Sequence, residues 1–75
     1  MEAYRAETQD IVRRFKLHQI SVQDCYGELD VAFAALVPRM IQGQEDQLRA
    51  IYLDIRAQVE TELIRRRQRD RKAAA

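Results

Sequence analysis

The stretch Ser21–Met40, SVQDCYGELDVAFAALVPRM, decides the fold of this chain. Its apolar side chains recur at steps of three and four residues, so at about 100° per residue they share one broad helix face. Ser21 is placed as an N-cap that accepts from the backbone N–H near Asp24, and Asp24 puts negative charge at the positive end of the helix dipole. Ile20, just before the cap, can staple against Cys25. The apolar face consists of Val22, Cys25, Tyr26, Leu29, Ala32, Phe33, Leu36, Val37 and Met40.

The end of this central helix is marked by Pro38. Proline removes one backbone hydrogen bond, so it either bends the helix around the core or ends it near Val37. Because Met40 continues the apolar face, we expect a bent helix that ends near Ile41, with Gly43 as the C-terminal stop. The predicted second helix therefore spans about residues 22–41.

Helices are also predicted on both sides of this central helix. The first, about residues 2–18, has a narrow apolar face. The third spans about residues 44–64, and its apolar face continues to Leu63. Arg66 takes the next position of that face, so the apolar pattern stops there. The first face consists of Tyr4, Thr8, Ile11, Phe15 and His18, and the third of Leu48, Ile51, Tyr52, Ile55, Val59 and Leu63.

Short connections between helices imply antiparallel neighbours. We therefore predict an all-α fold, a three-helix antiparallel (up-down-up) bundle with a long third helix whose basic C-terminal end projects without packing. Residues 1–64 are expected to form a single helical domain, followed by a basic extension, residues 65–75, that is either helical or frayed. At 75 residues the chain is near the lower size limit for a single core. Its lone cysteine, Cys25, allows no internal disulfide, so tight helix packing or oligomerisation must stabilise it.

The composition, 47% hydrophobic and 33% charged, is too apolar for a disordered chain. No apolar run reaches the roughly 18–20 residues of a membrane span, and the N-terminus has no signal region. A single free cysteine also suits a reducing compartment. These features predict a cytoplasmic protein.

Catalytic and metal chemistry is not indicated. His18, Ser21 and Asp24 are the residue types of a hydrolase triad, but their spacing across a helix start is better explained as a capped turn. His18 and Cys25 are too few for a zinc site, and Cys25 lies on the apolar face. We therefore predict no catalytic, cofactor-binding or metal-binding residues, no small-molecule substrate, and a protein that is not an enzyme.

The charge distribution singles out the C-terminus. Residues 64–75 carry a net charge of +5, whereas residues 1–63 carry −4. This segment is read either as a solvated helix end that complements the helix dipole or as an arm that contacts a polyanion such as nucleic-acid phosphates. A membrane surface is less favoured, because no bulky apolar face lies opposite the charges. The candidate polyanion-binding residues are Arg65, Arg66, Arg67, Arg69, Arg71 and Lys72.

A second apolar pattern lies on the back of the third helix. Leu53, Ala57 and Ile64 fall opposite its inner face, and such residues are either stray apolar side chains or an oligomer interface. The expected function is thus a small helical protein–protein interaction or adaptor module, with a protein partner or self-association through these three residues. The alternative is a nucleic-acid-associated protein that uses the basic C-terminus.

Overall fold

The chain folds as three helices. A computed structural model describes residues 2–41 and 43–74, and within these ranges it contains α1 (Glu2–Lys16), α2 (Val22–Leu36) and α3 (Glu45–Ala74), with a short 3₁₀ turn at Val37–Arg39 and no strand. Each helix packs against the other two. The prediction of an all-α, three-helix fold with a long third helix is therefore confirmed.

Three inter-helix contacts define the helix directions. Arg14 of α1 lies 3.1 Å from Glu28 of α2, and the rings of Phe33 in α2 and Tyr52 in α3 lie 4.6 Å apart. At one end of the bundle, Arg66 of α3 donates a hydrogen bond of 2.8 Å to a backbone carbonyl at the C-terminal end of α1. Since both short connections reverse the chain, α1 and α3 are parallel to each other and antiparallel to α2, as the up-down-up prediction requires.

α1 ends earlier than predicted. The N–H of Gln19 donates to the carbonyl of Arg14 at 2.9 Å, and the N–H of His18 donates to Phe15 at 3.0 Å. With His18 at φ 60°, these bonds form a Schellman motif, which stops a helix in a left-handed residue. The predicted helix to residue 18 is thus two residues too long. His18 is exposed in the turn and is not part of the apolar face.

The start of α2 is confirmed and its end is corrected. Ser21 is extended, with φ −74° and ψ 166°, and its hydroxyl accepts from the N–H of Asp24 at 3.0 Å. The predicted bent helix to Ile41 is wrong. Pro38 has no N–H to donate to residue 34, so the α-helix stops at Leu36 and a 3₁₀ turn follows.

Gly43 has a different place from the one predicted. It lies in the turn directly before α3, with φ 99°, and not at the end of α2. An L-residue with a side chain is strained in this left-handed conformation, which explains a glycine here. The end of α2, which was predicted to be set by Gly43, is set by Pro38 instead.

The core lies along the axis between the three helices and matches the predicted faces closely. Thr8 is fully buried in it, and its hydroxyl donates to the carbonyl of Tyr4 at 2.9 Å, so no polar atom of Thr8 is left without a partner. The buried apolar side chains are Tyr4, Ile11, Val12, Phe15, Cys25, Leu29, Ala32, Leu48, Ile51, Ile55 and Val59.

α3 continues far beyond the core. It is helical from Glu45 to Ala74, which are 30 residues and about 45 Å at 1.5 Å per residue. The longest dimension of the molecule is 52 Å, so α3 spans most of it. Of the two predicted states of the basic extension, helical and frayed, the structure has the helical one through Ala74. Ala75, together with Met1 and Gln42 of the predicted domain, lies outside the described residues.

Candidate functional site

The outward side of α3 carries the three residues predicted as an oligomer interface. Leu53 is 58% exposed and Ile64 is 54% exposed, and Ala57 between them is exposed as well. They lie on the side of the helix opposite the buried Ile55 and Val59, because α1 and α2 cover only the inner side. We call the residues Ala50, Leu53, Ala57, Thr61 and Ile64 the outer face of α3.

The basic end of α3 is divided by the structure into one packed cation and several exposed ones. Arg66 lies across the C-terminal end of α1, where its Nη2 donates to the carbonyl of Phe15 at 2.8 Å and its guanidinium carbon lies 4.2 Å from the centre of the Phe15 ring. The expectation that the whole basic segment projects without packing is therefore wrong for Arg66. The reason is its position on the inner face of α3, one turn after Leu63.

Glu62, one turn before Arg66 in α3, forms an ion pair with it. Its side chain is only 7% exposed, and its Oε1 lies 3.6 Å from Nε of Arg66 and 3.9 Å from Nη2 of Arg69. Sequence reasoning missed Glu62, although its i, i+4 spacing to Arg66 is a recognised signal for a helical ion pair. The other predicted polyanion-binding residues, Arg65, Arg67, Arg69, Arg71 and Lys72, are exposed.

The structure shows the surroundings of the residues that were considered for catalysis or metal binding. Ser21 caps α2 through its hydroxyl, and His18 is exposed in the turn before it. Cys25 is fully buried, and burial raises the pKa of its thiol. No group of three or more His, Cys, Asp or Glu side chains in the described part of the chain is arranged to hold a metal ion.

An open groove between α1 and α2 was not predicted. It encloses about 710 Å³, and we call it the α1/α2 groove. Arg14 crosses it by bonding Asp10 at 3.2 Å and Glu28 at 3.1 Å. Hydrogen bonds from Arg13 and Arg14 lower the pKa of Asp10, so this carboxylate is ionised at neutral pH, unlike a general acid. The groove is lined by Glu7, Asp10, Ile11, Arg14, Ile20, Gln23, Asp24, Gly27, Glu28, Val31 and Ala32.

The opposite seam, between α2 and α3, is filled by side chains. The Arg56 guanidinium carbon lies 5.1 Å from the ring centre of Tyr26 and 5.7 Å from that of Tyr52. The hydroxyl of Tyr52 donates a hydrogen bond to Asp30. This bond is the largest cause of the raised pKa of Tyr52, and burial is the second. These contacts tie α2 to α3.

None of the helices described by the structure has the length and apolar character needed to cross a membrane. In comparisons with known proteins, no family model, curated protein or solved structure matches the chain.

Proposed function

We propose that this protein is a non-enzymatic helical interaction module that forms a homodimer through the outer face of α3. The supporting observation is the exposure of Leu53 and Ile64, at 58% and 54%, on a helix side that none of the described residues covers. We place the module in the cytoplasm, because a single free thiol, Cys25, suits a reducing compartment.

The spacing on the outer face is typical of helix pairing. Ala50, Leu53, Ala57 and Ile64 follow one another at steps of three, four and seven residues, which is the a/d pattern of a coiled-coil seam. The small side chains of Ala50 and Ala57 let a second helix approach, while Leu53 and Ile64 provide the apolar contacts. In this register the d position between Ala57 and Ile64 is occupied by Glu60, and Thr61 lies next to it at an e position, where its hydroxyl is already bonded to the carbonyl of Ala57 at 2.9 Å.

Charge on the same face favours an antiparallel dimer. Asp46 lies seven residues before Leu53, and Arg71 lies seven residues after Ile64. In an antiparallel pair that places Leu53 beside Ile64 of the second copy, Asp46 therefore lies beside Arg71 of that copy. A parallel pair would place each charge beside its own kind, which is unfavourable. The helix dipoles also oppose each other favourably in the antiparallel arrangement.

The energetics indicate a weak dimer. Covering Leu53 and Ile64 on both copies buries four side chains that are already about half covered, which gives roughly 3–7 kcal/mol from about 1.5–3 kcal/mol per fully buried side chain. Association loses an estimated 4–15 kcal/mol of translational and rotational freedom. Ion pairs at the ends add only about 0.2–1 kcal/mol each. Only the favourable ends of these ranges leave a net gain, about 5 kcal/mol, which is a dissociation constant of roughly 0.2 mM. We therefore expect dimers only at high micromolar protein concentration, and we expect them to dissociate on dilution.

The dimer is tested by sedimentation equilibrium of the full chain. Leu53→Glu should abolish dimerisation, because it places a charge in the apolar contact. Leu17→Glu is the matched control, since Leu17 is 57% exposed and lies in the turn after α1, not on α3. Asp46→Lys and Arg71→Glu should each weaken the dimer, and the double variant should restore it. A monomeric wild-type chain at high micromolar concentration contradicts the proposal, and a double variant weaker than both single ones contradicts the antiparallel register.

A second candidate function is phosphate contact with nucleic acid, which is favoured by the exposed cations of α3. Because Arg66 is packed on Phe15, the test should leave it in place. We expect the triple variant Arg65→Gln, Arg67→Gln and Arg71→Gln to keep its fold but to lose duplex binding in fluorescence anisotropy. Wild-type binding should fall steeply with added salt. Absence of wild-type binding at low salt would reject this function.

A further inference from the structure

The α1/α2 groove is lined by apolar side chains, of which Ile20 and Val31 remain accessible in the described part of the chain. Ile11 and Ala32 form its deepest part and are buried, and Ile20 is half-buried at one end. Val31 is 70% exposed, the highest value among the large exposed apolar side chains of the described chain. All of the lining comes from α1, α2 and the turn between them. The groove is therefore independent of the outer face of α3.

The rim of the groove is acidic. Glu7, Asp10, Asp24 and Glu28 line it, and Arg14 is the cation among the lining residues. Arg14 is shared between two of these carboxylates, so it does not neutralise the rim, which has a net charge of −3. Such a rim attracts cationic side chains and repels phosphate groups. Nucleic acid and anionic lipid are therefore disfavoured as occupants.

A glycine lies among the apolar and acidic residues that line the groove. Gly27 is in the middle of α2, is exposed, and lines the groove. A Cβ added to it would meet no atom within 4 Å beyond the adjoining helix backbone, so no contact among the described residues requires a glycine here. Glycine destabilises a helix interior relative to alanine. Small residues do allow the backbone of another helix to approach closely, which gives this position a reason outside the chain.

We propose that the α1/α2 groove binds an amphipathic helix of a partner protein that has one apolar face flanked by Lys or Arg. The apolar face would lie on Ile20, Gly27 and Val31, and the flanking cations would face the carboxylates on either rim. A further helix that lies along α1 and α2, over the Arg14–Glu28 ion pair, would complete the packing as in a four-helix bundle. The inference names a partner for the interaction module proposed above, but it uses a different surface from the dimer.

The basic end of α3 from a second copy fits this groove less well. It has the complementary charge, but after Ile64 it contains no bulky apolar residue to cover Val31 and Ile20. Its cations also surround the helix instead of flanking one face, as their consecutive positions at Arg65, Arg66 and Arg67 require. A partner helix with a continuous apolar face and flanking cations can both cover the apolar side chains of the groove and pair with the carboxylates on its rim.

The test is a titration of the isotope-labelled full chain, followed by NMR, with a synthetic helical peptide that has Leu on one face and Lys on both flanks. A peptide with Glu in place of Lys is the control ligand. We expect the Lys peptide to shift the amide signals of Gly27, Val31 and Asp24, with an affinity that falls as salt is added, and the Glu peptide to cause no shift. Equal effects of the two peptides, or shifts confined to α3, would overturn the proposal.

Substitutions at Gly27 separate binding from folding. Gly27→Ala should raise the midpoint temperature of unfolding and at the same time weaken peptide affinity, and Gly27→Leu should weaken it at least about tenfold, which is the effect of losing about 1.4 kcal/mol of binding free energy. Ala35→Leu places the same leucine side chain at an exposed position of α2 that does not line the groove, and it should leave affinity unchanged.

Unchanged affinity in Gly27→Leu would overturn the groove as the site. Groove signals that shift with the concentration of the chain alone, and no longer do so when Arg65, Arg67 and Lys72 are replaced by Gln, would assign the groove to a second copy and overturn the partner helix. Sedimentation of the Leu53→Glu variant reports on the dimer separately, so either proposal can fail without the other.

Discussion

Phe15→Ala is expected to lower the free energy of unfolding by about 3–5 kcal/mol, as large aromatic deletions in a core do. The Phe15 side chain is fully buried at the end of α1. It also supports the Arg66 guanidinium, whose carbon lies 4.2 Å from the ring centre. A chain of 75 residues is typically stable by only about 4–11 kcal/mol, at 0.05–0.15 kcal/mol per residue. The variant should therefore lose a large share of its stability, and it would be largely unfolded if the wild-type value lies at the lower end of this range.

Urea unfolding followed by circular dichroism measures this effect. Leu17→Ala is the matched control, because Leu17 is two residues further along the chain and 57% exposed. It should change the free energy of unfolding by no more than about 0.5 kcal/mol, as exposed substitutions usually do. Similar losses in the two variants would show that the end of α1 is not packed as described.

Arg66→Met is expected to destabilise the fold by about 2–3 kcal/mol, the second largest effect. The substitution removes a hydrogen bond from a charged donor to the Phe15 carbonyl, an interaction worth about 1.5–3 kcal/mol, and a cation–π contact worth about 0.5–2 kcal/mol. It also leaves the mostly buried Glu62 carboxylate with only Arg69, whose Nη2 lies 3.9 Å away. An uncompensated buried charge adds to the loss.

A control variant and a rescue variant test whether the loss of Arg66 itself causes the loss of stability. Arg65→Met removes the same charge from an exposed neighbour and should have little effect on unfolding. Adding Glu62→Leu to Arg66→Met removes the stranded carboxylate, so the double variant should be more stable than Arg66→Met alone. If Arg65→Met and Arg66→Met have equal stability, Arg66 is not a structural residue and the whole basic end is solvated.

Local signals in the sequence predicted the start of α2 well and the ends of α1 and α2 less well. The Ser21 cap depends on one side chain and the backbone three residues later, so the sequence contains the whole motif. Pro38 offered two outcomes, a bend or a stop, and the apolar Met40 favoured the wrong one. Met40 is nevertheless half-buried against the core, because the 3₁₀ turn carries it there after the helix has ended. The left-handed stop at His18 was missed because histidine, unlike glycine, gives no signal for it.

The candidate surfaces were predicted unevenly for a related reason. The exposure of Leu53 and Ile64 follows from their place opposite the apolar face of a single helix, which periodicity reports directly. The α1/α2 groove needs two helices at a particular separation, and no pattern along the sequence points to Gly27. Its role as an open position in a groove is visible only once both walls are in place.

The sequence by itself determined the three helices, their inner faces and the excess of positive charge at the end, because each depends on residues within a few turns of one another. Only the tertiary structure decided what individual charges do. Arg66 and Phe15 are 51 residues apart and meet because α1 and α3 run side by side. The same packing buries Glu62, leaves its basic neighbours in solvent and opens the acidic groove on α1 and α2. Charge counts are a property of the chain, but burial, which fixes the effect of each charge, is a property of the packed bundle.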